Sequence, residues 1–174
     1  MKPLLEVRHL SISFHTYRGL LEAVHAVSLT VHAGETVGIV GESGCGKSVT
    51  SQAVMKLLPQ RAAEYQSGEI LWEGRDILPL SERDMNGLRG RDMAMIFQAP
   101  MTSLNPVLTI GAQLCEGLAL YQKLSKNEQR EKALELLKAV GLTSPEKRLD
   151  QYPHQLSGGM RQRCLIAMAL SCSP

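Results

Sequence analysis

The residues Gly41-Glu42-Ser43-Gly44-Cys45-Gly46-Lys47-Ser48 bring three glycines, a lysine and a hydroxyl together directly after the apolar run Thr36-Val37-Gly38-Ile39-Val40. A phosphate chain needs this combination. Glycines at 41, 44 and 46 let the backbone take positive φ and curl its N–H groups inward around an anion. Lys47 adds a point charge for the outer phosphates, and the Ser48 hydroxyl is placed to ligate a magnesium ion bridging them. Val49 to Leu58 reads as a helix whose N-terminus directs its partial positive charge at the same phosphates. The spacing meets G-x-x-x-x-G-K-[ST] without substitution. A glycine-rich turn with a chance Lys-Ser would account for neither the strand-like run before it nor the helix after it.

A second group is Gln155-Leu156-Ser157-Gly158-Gly159-Met160-Arg161-Gln162-Arg163. Ser157 reads as a helix N-cap, because Leu165, Met168 and Ala169 repeat at helical spacing behind it. Gly158 and Gly159 just inside that helix allow close approach to its free N–H groups, a second anion site of the same physical kind. Alone, this is an ordinary capped helix with two glycines. Downstream of the first motif it carries more meaning.

The pairing of GESGCGKS with LSGGMRQR resembles the ATP-binding subunits of ABC transporters, in which LSGG is the signature motif. Phe97-Gln98, closing the apolar run Met93-Ala94-Met95-Ile96-Phe97, resembles the Q-loop of that family. The segment Gln98-Ala99-Pro100-Met101-Thr102-Ser103-Leu104-Asn105-Pro106, then Leu108-Thr109-Ile110-Gly111, is similar to the dipeptide, oligopeptide and nickel importer group, as is Tyr152-Pro153-His154-Gln155.

The resemblance implies ATP and Mg2+ as cofactors, with Gly41, Glu42, Ser43, Gly44, Cys45, Gly46, Lys47, Ser48 and Val49 around the phosphates. It implies Lys47 and Gln98 in catalysis, and Ser48 and Gln98 on the metal. Ser157, Gly158 and Gly159 would cap a nucleotide held by another subunit. Phe14 is the expected adenine-stacking aromatic, with Tyr17 the other candidate. The implied partners are two membrane-spanning permease subunits, a second ATP-binding subunit in a sandwich dimer and, indirectly, a solute-binding protein. The place is the cytoplasmic face of the inner membrane.

The implied fold is α/β: a P-loop NTPase core of ABC ATPase type with an inserted helical subdomain. Residues 1–99 would hold the N-terminal β-subdomain and incomplete core, and 100–170 the helical subdomain. In the family the signature helix is followed by a strand ending in Asp-Glu, and no apolar run followed by Asp-Glu occurs in these 174 residues. The expectation is therefore the front half of such an ATPase, with the C-terminal half of the core missing, apolar strand edges exposed and turnover impaired. Two other readings stand beside the importer: a non-catalytic ATP-binding fragment, and an ABC-type ATPase acting on nucleic acid or ribosomes.

Composition narrows the last of these. Lys plus Arg at 19 against Asp plus Glu at 17 leaves +2, too small to argue for nucleic acid as the main partner. A chain 44% hydrophobic and 21% charged fits a globular protein of one or two domains. No run approaches the roughly 18 apolar residues of a membrane span, and Lys2, Glu6 and Arg8 interrupt the place where a secretion signal would need its apolar core. Cysteines 45, 115, 164 and 172 form no C-x-x-C pair, so a structural metal site is not expected.

The elements that must position these motifs follow from periodicity. Residues 5–14 alternate as a strand, Val27–Val31 reads as another, and Thr36–Val40 suits a strand buried on both faces. Ser67-Gly68 turns into a short strand over 69–73. Helices are expected over 110–121, over 128–140 with Ala133, Leu134, Leu137 and Val140 on one face, and after Ser157; Gly141 stops the second.

Overall fold

The computed structural model describes residues 2–97, 103–122 and 124–174. The chain divides into two compact units, residues 1–85 and 86–174.

The first unit is built on a four-stranded antiparallel sheet of order β2-β1-β3-β4, with β1 Pro3–Thr16, β2 Gly19–His32, β3 Ala63–Trp72 and β4 Arg75–Asp76. Val7, Leu10, Ile12, Val24 and Ile70 are almost wholly buried, but the period-2 alternation of a half-buried sheet is broken on β1, where Leu10 to Ser13 are buried in succession. Both long strands run further than the alternation suggested, because each bulges and re-registers in mid-course. His9 and Ala26 take left-handed backbone angles, φ 46 and 45.

Two serines hold this double bulge. Ser28 Oγ accepts the His9 N–H at 2.9 Å, and the buried Ser11 Oγ accepts the Ala26 N–H at 2.9 Å. On β3, Gly68 (φ +100) lies opposite, where a Cβ would come within 2.6 Å of the Arg8 carbonyl oxygen and of Leu10 Cα. Only a glycine lets the strands close there. Ser11→Ala strands the Ala26 N–H and is expected to cost roughly 1–2 kcal/mol, read as a lower urea midpoint at unchanged slope. An unchanged midpoint would show that the bulge does not need its hydroxyl.

After β2 the chain runs through Thr36–Val40 into α1 (Lys47–Val54). The expected doubly buried strand at 36–40 is not formed: these residues pair with no strand among those described, and Val37, Ile39 and Val40 are 40%, 46% and 96% exposed. An apolar run becomes a strand only when ladder neighbours take up its N–H and C=O groups. Met93–Phe97 behaves alike, with only an isolated bridge from Arg89 to Met93. The helix after the glycine loop is also shorter than its apolar pattern. Lys56 breaks it at φ 49 and donates from Nζ to the Leu78 and Leu80 carbonyls, both at 2.7 Å.

The second unit begins within α2 (Glu82–Leu88) and contains α3 (Ile110–Gln122), α4 (Lys126–Ala139), α5 (Pro145–Leu149), a 3₁₀ turn Pro153–Gln155 and α6 (Gly158–Leu170). Its core joins Ile110, Leu114 and Leu118 with Ala133, Leu137, Leu149, Leu156, Cys164 and Ala167. Helical spacing in each element produces these stripes, and Leu134 and Val140 pack against the cluster as expected. A capping box opens α4, in which Ser125 N–H donates to Glu128 Oε2 at 2.8 Å and the Ser125 hydroxyl accepts from Glu128 N–H. That hydroxyl holds the Glu128 carboxylate below its usual range. Gly141, at φ 73, ends the helix. No helix among the described residues is long and apolar enough to cross a membrane.

Candidate functional site

The glycine loop lies between the exposed run 36–40 and α1. Gly44 and Gly46 have φ 85 and 89, the left-handed angles the motif needs, and the Cys45 N–H reaches back to the Glu42 carbonyl at 3.4 Å. Gly46 is the N-cap of α1 and supplies no capping side chain; the first turn contains no acid. Its carbonyl accepts from the N–H and the hydroxyl of Thr50, at 2.8 and 3.0 Å, which starts the helix. The leading N–H groups of α1 are therefore left to an outside acceptor, with the positive end of the helix dipole behind them.

Lys47 is folded back over this loop. Its ammonium donates to the Gly41 carbonyl at 2.7 Å and the Glu42 carbonyl at 2.6 Å, and lies 3.5 Å from Cys45 Sγ. These are neutral oxygens, and an anion entering the loop offers the ammonium a stronger partner. Gly41 packs under Cys45, where a Cβ would sit 2.7 Å from the sulfur. Ser48 is exposed in the first turn. No cluster of His, Cys, Asp or Glu suited to a metal occurs among the described residues. A single hydroxyl fits a hard cation that is also held by phosphate oxygens, and does not fit an all-protein cage.

Ser157 caps α6 as the spacing predicts, its Oγ accepting from the Met160 N–H at 3.3 Å. Gly158 and Gly159 face open space, and the first turn has no acid. Two tethers hold this helix: Arg163 donates to the Gly141 carbonyl and Gln122 Nε2 to the Ser171 carbonyl. Phe14 is half-buried on β1 opposite Leu21, while Tyr17 is exposed with Arg18 stacked 5.1 Å over its ring. Gln98 lies outside the described residues. Among the described residues that follow, the Asn105 N–H donates to Gln113 Oε1 at 2.9 Å.

One contributor left no trace in residue type. The Ala23 carbonyl of β2 forms the floor beneath Gly46, where a Cβ would meet its oxygen at 2.6 Å.

The four thiols differ in access. Cys45 is exposed, whereas burial raises the Cys115 thiol and pushes Cys164 up to about 11. Alkylation at mildly alkaline pH is expected to modify Cys45 well before Cys164 and to block nucleotide binding. Peptide mapping beside a nucleotide titration checks this; binding retained after complete modification of Cys45 refutes it.

The sequence model described as ABC transporter matches residues 24–174. The chain is 54% identical over 171 residues to the oligopeptide transport ATP-binding protein OppD of Bacillus subtilis, covering 98% of this chain and 48% of that protein. It is 53% identical over 174 residues to the dipeptide transport ATP-binding protein DppD of the same organism, covering 100% and 52%. The chain thus spans about half the length of these curated relatives. Among solved structures, the dimeric bacterial ABC transporter cassette MJ0796 superposes with a TM-score of 0.86 at 27% identity, over 98% of this chain and 70% of that one. The same cassette in a post-hydrolysis state, bound to ADP and Pi, matches equally well.

Proposed function

We infer the function from the premise that this chain belongs to the ABC transporter family, whose model matches residues 24–174. It carries the phosphate-binding and signature portions of the ATP-binding subunit of a peptide importer, in which ATP binding and hydrolysis drive uptake across a membrane. The observation that carries this reading is the start of α1: no capping side chain, no acid in the first turn, and the Lys47 ammonium held over the same end by two carbonyl oxygens. The names of the oligopeptide and dipeptide relatives support peptide as the cargo.

Residues Gly41 to Val49 wrap the phosphates with backbone N–H groups. Lys47 moves from the Gly41 and Glu42 carbonyls to the outer phosphates, a gain because its new partners are charged. Ser48, with Gln98, would hold magnesium, which would supply neutralisation of the phosphate charge. Gln98 also orients the attacking water, and Phe14 stacks on adenine. Ser157, Gly158 and Gly159 act on the nucleotide of a second ATP-binding subunit, so closure depends on the γ-phosphate. Two permease subunits receive the motion at the cytoplasmic face of the inner membrane, and a solute-binding protein delivers the peptide from outside.

The test is ATP-driven association. Sedimentation with MgATP is expected to show self-association of the chain that ADP does not support. Ser157→Ala is expected to weaken it roughly a hundredfold or more, because each dimer loses two charge-assisted hydrogen bonds to phosphate, each worth about tenfold or more. Association indifferent to both nucleotide and Ser157 would exclude the capping role.

A further inference from the structure

We propose that Gln155 is a positioning residue for the signature serine, a role that rests on the capping function given to Ser157 above. The chain reaches Ser157 through a short connection anchored at two points. At one end the Gln151 carbonyl accepts the Ile110 N–H at 2.9 Å, tying the connection to the start of α3. At the other, Leu156 is 4% exposed within the helical core.

Between these anchors lies the 3₁₀ turn Pro153–Gln155. Gln155 closes it twice. Its N–H donates to the Tyr152 carbonyl at 3.0 Å, and its side-chain Oε1 accepts the Tyr152 N–H at 2.8 Å. The Leu156 N–H then bonds the Pro153 carbonyl at 3.2 Å. Outside the turn the Tyr152 and His154 rings stack, 5.7 Å apart and 11° from parallel.

The Gln155 side chain is exposed and adds nothing to the core, so its single side-chain bond contributes little to global stability. That bond nevertheless sets the direction in which the backbone leaves the turn. Two residues later the chain presents the Ser157 hydroxyl and the N–H groups of Gly158 and Gly159. Groups that meet a phosphate must be held within about half an ångström of their productive place. An exposed acceptor one residue before the buried Leu156 is well placed to do this.

The experiment compares Gln155→Ala, Gln155→Glu, Ser157→Ala and Gln129→Ala in the full chain. Gln129 closes a different turn of the same unit, donating from Nε2 to the Leu124 carbonyl at 2.6 Å in a partly buried bond, and reports what losing one local amide bond does on its own. Gln155→Ala is expected to weaken MgATP-driven association roughly tenfold, toward the Ser157→Ala level, with a melting temperature no lower than that of Gln129→Ala. Gln155→Glu keeps the accepting oxygen and is expected to restore association.

Association of Gln155→Ala equal to wild type, with Ser157→Ala impaired, overturns the positioning role alone. So does a loss that Gln129→Ala reproduces or that Gln155→Glu fails to rescue. If Ser157→Ala also associates normally, the capping function itself falls and the inference goes with it.

Discussion

Lys47→Ala weakens ATP binding about a hundredfold, close to 3 kcal/mol, while leaving the melting temperature within a few degrees of wild type. The two halves of this expectation come from the two states of one ammonium. With no nucleotide, Lys47 donates to the carbonyls of Gly41 and Glu42, neutral acceptors on an exposed loop. Losing such bonds costs little, because water replaces them. With nucleotide, the same group faces charged phosphate oxygens, and a hydrogen bond between two charged groups is worth about 1.5–3 kcal/mol. Titration with a fluorescent ATP analogue, beside a thermal melt, separates the terms. Undiminished affinity would remove Lys47 from the site. A large fall in melting temperature would mean that its carbonyl contacts hold the fold.

Gly46→Ala gives the opposite signature: both ATP binding and the stability of the first unit are lost, the latter by about 3 kcal/mol or more. Gly46 has φ 89, a backbone that costs an L-residue roughly 1–2 kcal/mol. Its added Cβ would also sit 2.6 Å from the Ala23 carbonyl oxygen and 3.4 Å from Val24 Cγ2. The first of these neighbours is strand backbone, which cannot swing aside as a flexible side chain can. The loop must therefore lift from β2 and carry the start of α1 with it. Gly44→Ala is the internal comparison, since Gly44 has a similar φ of 85 and no atom within 4 Å of a Cβ. It should show the backbone cost alone. Urea midpoints that match for the two variants would show that the Ala23 contact is immaterial.

Much of the local chemistry was legible from residue order. The helix start at Ser157 was marked by a capping serine before an apolar stripe, and that serine accepts a backbone N–H from three residues on, whereas the capping box at Ser125 went unread and starts its helix at Lys126 rather than at the expected residue 128. Ala133 and Leu137 occupy the core because a four-residue step returns to the same helix face. The glycine loop was legible for a similar reason: its glycines, lysine and hydroxyl lie within eight residues, and the left-handed angles of Gly44 and Gly46 follow from residue type.

Elements that depend on distant partners were read less well. Thr36–Val40 has the composition of a buried strand, yet Val40 is 96% exposed, because composition states a preference for burial without supplying a ladder neighbour. The bulges at His9 and Ala26 were invisible, since Ala seldom takes a left-handed angle and a single His inside an alternating run does not announce one. They exist because Ser11, Ser28 and Gly68 meet them across three strands.

By itself, then, the sequence determined the glycine loop, the capped helix at Ser157 and the family to which they belong, all consequences of short-range spacing. Tertiary structure alone decided where the Lys47 ammonium rests, which carbonyl lies beneath Gly46 and which side chain closes the turn before Ser157. Those contacts depend on distances between backbone groups, and a backbone carbonyl has the same chemistry at every residue, so no residue type announces it.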